Sequence, residues 1–475
     1  MTDLSLKIEM KKAEDYSSPR SKNQYLPLVY GDMSSGGEGG LWQAVNLDID
    51  NRVYALAGCP LLSQAAGNQV SIFNRDGDEL GPGFTFNHSH DFQGKGAIAT
   101  VTFPQLTASD ISVSADDNSF NSTTSDLSIF GENWRLTSEG FSQTTNNSNL
   151  KIVSADANKL VVEGRDLKDE AAGAEVNLIA DQQRNEPLAL RAKGKADGSG
   201  NLITSPISLV RDLLTNYCGV PQEELDPTAF SRAWSRAEVL GLAAAGVIVR
   251  PVKASSLLTE ILGEFLGSWW RGGDGRLRFY LDLGPGSADE AELASVLYGT
   301  HLRQVSVSAK LSQMVNQAQA RYCYNQVLHD FEADYDGAGS KDTASQGIYG
   351  EQQKELELKW VRSQSVVLTL CQRLVGLLAQ PRRIISCEED ALVNLPLEKG
   401  DAALFNLEWL YDRGGRPLVN QIVRMLGIEP QFDQGTIRFT LLDTGFYKTI
   451  ACLADGSHQG DGDCLAGGER DLRPY

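Results

Sequence analysis

The sequence predicts an α+β protein, rich in strands and divided into several domains, with β-barrel or β-sandwich modules arranged around a helical insert. Three observations lead there. Short apolar stretches in period-two alternation, bounded by Gly, Asn and Asp turns, fill the first part of the chain and return after residue 383. Between them lie segments whose apolar residues recur at helical spacing. The chain has 475 residues, and at about 100–200 residues per domain that length accommodates two to four cores.

Residues 1–111 read as an N-terminal β module. A short strand at 25–30 leads into the glycine-rich loop 31–40, and further strands are predicted at 42–49, 52–57, 69–73 and 97–103. Residues 112–200 shift to Ser, Thr, Asn and Asp, with polar tracts at 118–126 and 144–149. Such tracts bury little apolar surface, so a linker or an exposed β insertion is expected, carrying short strands near 150–153, 159–163 and 175–179.

Residues 201–300 read as a helical α+β module. Ser205 precedes proline at the first helical position, Ile207, Val210, Leu214 and Tyr217 share one face, and Gly219 ends the helix. A second helix is predicted from Ser256 through Trp270, because Leu257, Leu258, Ile261, Leu262, Phe265, Leu266, Trp269 and Trp270 fall as adjacent pairs every four residues. Residues 272–275 then turn into a strand at 276–281. The stretch 301–450 is expected to form a C-terminal β-barrel with a long helix over about 351–380, closed by Pro381. Residues 451–475 are expected to form a flexible tail.

Charge and cysteine content exclude several classes. With 62 acids against 43 bases the formal charge is −19, which opposes a general grip on duplex DNA. Seven cysteines without a C-x-x-C pair support neither a small disulfide scaffold nor a zinc ribbon. Residues 1–12 lack the apolar core of a secretory signal, so synthesis in the cytoplasm is expected. The longest apolar run, 239–249, falls well short of the roughly 20 residues needed to span a bilayer.

Recognisable catalytic motifs are missing. The sequence has neither G-x-S-x-G nor a Walker A loop. His88-Ser-His90-Asp91 is the densest group of potential metal ligands, but a site needs further ligands and a supporting shell; a surface loop is expected, and metal binding by His88, His90 or a cysteine stays open. Glu223-Glu224 and Glu388-Glu-Asp390 read as solvated charge, since adjacency in sequence does not set the separation that acid–base hydrolysis requires. Trp269-Trp270 reads as core before sugar platform. No catalytic, cofactor-binding or metal residue is assigned, no cofactor is expected, and the protein is expected not to be an enzyme.

Three stretches carry a family resemblance. Tyr25-Leu-Pro-Leu-Val-Tyr-Gly31, with Leu47-Asp-Ile-Asp50 and Tyr54-Ala-Leu-Ala-Gly58, looks like the opening of many phage tail proteins. Ser205-Pro-Ile-Ser-Leu-Val-Arg-Asp-Leu-Leu-Thr-Asn-Tyr217, Leu225-Asp226, Phe230, residues 256–265 and Asp274-Gly-Arg-Leu-Arg278 are similar to the helical module of baseplate hubs. Asn316-Gln-Ala-Gln-Ala-Arg-Tyr322, Ser345-Gln-Gly-Ile-Tyr-Gly350, the predicted long helix and Leu397-Glu-Lys-Gly-Asp401 look like a closing, tail-tube-type barrel. Together they resemble the baseplate hub and tail-tip proteins of tailed bacteriophages, found also in prophages and gene transfer agents.

The resemblance implies a structural virion protein at the tail baseplate or tip. It implies a cyclic homo-oligomer, a trimer, that links the distal tail tube and tape measure to fibres or a central spike. DNA would pass through its channel without specific binding during genome ejection, and an acidic lumen would help by repelling phosphate. Two other readings are a tail-associated hydrolase of peptidoglycan or surface polysaccharide, and a carbohydrate-binding adhesin. The second would be favoured by exposed aromatics such as Trp42 or Trp134 lining a groove.

Overall fold

The computed structural model describes residues 3–16, 21, 23–34, 40–74, 76–94, 96–163, 166–180, 188–282, 296–298, 301–309, 311–390, 397, 399–411, 417–431 and 433–447. The predicted tail 451–475 lies outside them. The fold is α+β and β-rich, with several separate sheets and, among the described residues, five α-helices.

The N-terminal strands form a four-stranded sheet in the order Val45–Asp48, Val53–Ala57, Ile98–Thr102, Thr85–His90. The strand Leu28–Tyr30, read from the sequence as part of this region, instead pairs antiparallel with Gly246–Ile248 beside the helices.

The polar stretch after residue 104 is built of strands. Seven antiparallel strands run in the order Gln105–Ala108, Val176–Ala180, Arg135–Glu139, Asn149–Asp156, Lys159–Val162, Ser119–Ser122, Ile111–Ser114. The first and last of these lie at opposite margins, yet only Ser109 and Asp110 separate them in the chain. That link reaches at most about 11 Å, so the sheet must curl until its margins nearly meet. A bulge between Ile152 and Ser154 helps it bend.

Alternation supplies the interior of this barrel with Phe120, Trp134, Leu136, Leu150, Leu160 and Leu178, all buried. The polar residues serve the backbone: Ser138 donates to the Asn146 carbonyl at 2.5 Å and Asn146 donates to that of Lys168 at 2.9 Å. At the link between the margins, the Asp110 carboxylate accepts from the Ser125 hydroxyl at 2.7 Å and from the Thr124 N–H at 2.9 Å. These bonds, with that of the Ser122 hydroxyl first among them, hold Asp110 well below the usual carboxylate range.

The helical region holds α1 (Pro206–Tyr217), α2 (Pro227–Val239) and α3 (Ala254–Glu264). α1 matches its sequence signals, ending at Cys218 before Gly219 at φ 63°. α2 was not anticipated as a helix, although Asp226 caps it, accepting from the N–H groups of Thr228 and Ala229 at 2.9 and 3.0 Å, with Pro227 at the first position.

α3 stops earlier than its apolar stripe predicts. Leu266 turns left-handed at φ 56°, and Gly267–Arg271 becomes a strand paired with Leu277–Leu281, Trp269 opposite Phe279 and Trp270 opposite Arg278. The pairing partner, reached after the five residues 272–276, captures the tryptophan segment that helical spacing alone assigns to α3.

The helix predicted over 351–380 is likewise shorter. Gln353–Leu358 is a strand running parallel to Gln317–Asn325, while α4 (Thr343–Tyr349) precedes it and α5 (Gln364–Leu378) follows. These elements join the large apolar core that also contains the N-terminal and helical regions. A second core is formed by Leu297, Ile385, Phe405, Val423, Phe439 and their neighbours. It sits in a six-stranded sheet of order Val296–Tyr298, Ala402–Tyr411, Pro417–Gln431, Thr436–Tyr447, Arg383–Asp390, Arg303–Ala309. The stretch 301–450 therefore contributes to two cores.

Laid flat, six strands would span about 24 Å, whereas residues 298 and 303, on the two margins, can be at most about 18 Å apart along the chain. This sheet curls too, into a trough. Arg383 crosses it, meeting Asp443 at 3.0 Å and donating to the Tyr411 carbonyl at 3.0 Å.

Candidate functional site

Two features of the C-terminal sheet offer function: an unfinished margin and the joint that holds the sheet to the helical region. The margin is the strand Arg303–Ala309. It pairs with Arg383–Asp390 on one side and, among the described residues, with no strand on the other. Six of its seven residues are exposed, and only Val305, half-buried, packs against the C-terminal core. An edge of this kind presents its free backbone N–H and C=O groups for pairing with another chain. On the same sheet Trp409 and Tyr411 are 61% and 56% exposed, an unusual outlay of large aromatic surface for a finished face.

The joint is built from close packing. Gly400, at φ 91°, sits against the Trp270 ring so tightly that a β-carbon there would lie 2.3 Å from it; only glycine tolerates both the conformation and the approach. Arg424, buried, stacks over Tyr280 at 3.7 Å and donates to the Gly400 carbonyl at 2.7 Å. Arg236 of α2 lies over the same Tyr280 ring at 4.8 Å and donates to the Leu281 carbonyl at 2.9 Å. Arg278 is anchored by Asp226, the cap of α2, at 2.9 Å. Sequence reasoning missed this arginine group, because its members are spread over residues 232–424 and only the hairpin and trough bring them together.

The residues singled out in the sequence lie elsewhere. His88 and His90 are on the strand Thr85–His90 and not on a loop; a register shift between Asn87 and His90 breaks the simple alternation that would align them. His90 Nδ1 meets the Thr100 hydroxyl at 3.4 Å. Among the described residues no three His, Cys, Asp or Glu side chains gather as a metal site. Glu224 pairs with Arg271 at 3.1 Å, and buried Glu388 pairs with Arg438 at 2.6 Å, so these acids hold structure. Cys387 is pushed up to about 12 by burial and the nearby acids Glu389 and Glu388, far from a reactive thiolate.

Trp42 and Trp134 are both fully buried, their indole N–H groups donating to the carbonyls of Leu56 and Gly81 at 2.8 and 2.9 Å. Neither lines an exposed groove. No helix among the described residues is long and apolar enough to cross a membrane.

No family model matches the chain, and no curated protein matches it. Among solved structures it overlaps a tail protein from Neisseria meningitidis MC58 at 11% identity and TM-score 0.31, covering 79% of this chain and 96% of that one. The 43 kDa tail protein of prophage MuSo2 from Shewanella oneidensis overlaps at 8% identity and TM-score 0.30, covering 78% and 98%. The prophage tail protein gp18 from Listeria monocytogenes EGD-e does so at 11% identity and TM-score 0.26, covering 70% and 94%. Overlaps at this level leave function to be argued from the chain's own features.

Proposed function

We propose that the chain is a structural, non-enzymatic component of a phage-type tail, at the baseplate hub or tail tip. In this reading it assembles with copies of itself into a closed ring, a trimer, around a channel through which DNA passes without specific binding. The ring joins the distal tail tube to fibres or a central spike. The sequence resemblance supports the family, and the single structural observation that supports assembly is the open strand Arg303–Ala309, exposed at six of its seven residues at the margin of a curled sheet. A trough completed by neighbouring troughs repeats one interface in a closed ring, where a non-closing contact would make a fibre.

Mass photometry of the purified chain across a concentration series tests this. The expected species is a discrete cyclic oligomer. Val307→Lys, which places charge on the open edge without touching either core, should shift it to monomer. A wild-type chain that stays monomeric at every concentration and never enters particles overturns the proposal.

A further inference from the structure

We draw no further inference here: the strongest candidate, the cleft of about 300 Å³ between α2, the hairpin 267–281 and the C-terminal sheet, carries nothing, because its arginines are already engaged and nothing in the structure shows which ligand would meet the one buried donor in its wall, the Trp270 indole nitrogen.

Discussion

Phe265 closes α3 and is completely buried in the large core. Its truncation removes a ring that the surroundings cannot replace, so Phe265→Ala should cost about 3–5 kcal/mol in urea unfolding; a loss below about 0.5 kcal/mol would place it outside the core. Immediately before it, at the end of α3, Glu264 accepts the Trp360 N–H at 2.8 Å. Burial is the main cause that raises its pKa from 4.5 to about 8, against the opposing backbone hydrogen bonds from Trp360 and Lys359. The native state therefore holds a proton that the unfolded chain has released, and stability should fall as pH rises from 4.5 to 8 and then level off. Glu264→Gln keeps an acceptor for Trp360 and removes the charge, so its urea midpoint should lose this decline. A wild-type midpoint that rises over the same interval contradicts the assignment.

Elements show where sequence periodicity suffices. α1 and the strands at 53–57, 159–162 and 176–180 were legible because their own residues supply both the apolar face and the stop signals. The end of α3 and the strand Gln353–Leu358 were not, because distant partners decide them: the hairpin strand Leu277–Leu281 and the strand Gln317–Asn325. The polar stretch 118–149 left a linker and a β insertion both open for a related reason. One buried residue in two is enough for a curled sheet that shares its interior among seven strands, although no single strand looks stable. α2 could have been found from Asp226-Pro227 alone. Asp226→Ala should cost about 1–2 kcal/mol in thermal or urea unfolding through the lost cap, and the loss of its bond to Arg278 adds to that. An unchanged midpoint would show that the cap contributes nothing.

At the scale of the whole molecule, two main apolar cores underlie the described residues, one gathering residues 4–379 and one in the C-terminal sheet, beside a small cluster of Ala13, Leu26, Val45, Leu47, Ala55 and Ile98. Separate cores joined by a polar seam need not melt together. Calorimetry should resolve two transitions, and Gly400→Ala, which forces a β-carbon into Trp270, should lower the midpoint of at least the C-terminal one. A single transition with equal calorimetric and van't Hoff enthalpies counts against two units. The joint was not legible in the sequence, because the grouping of positions 226, 278 and 424 is invisible until the sheet has curled.

The chain passes between these cores three times: after Leu281 towards Val296, after Ala309 back towards Val315, and after Leu378 out again to Arg383. A unit hung on one linker swivels freely. Three covalent connections resist rotation of one core against the other where a single one would not, so torque applied to the C-terminal trough is delivered to the body of the molecule, and cleavage of any one connection leaves the two halves tethered.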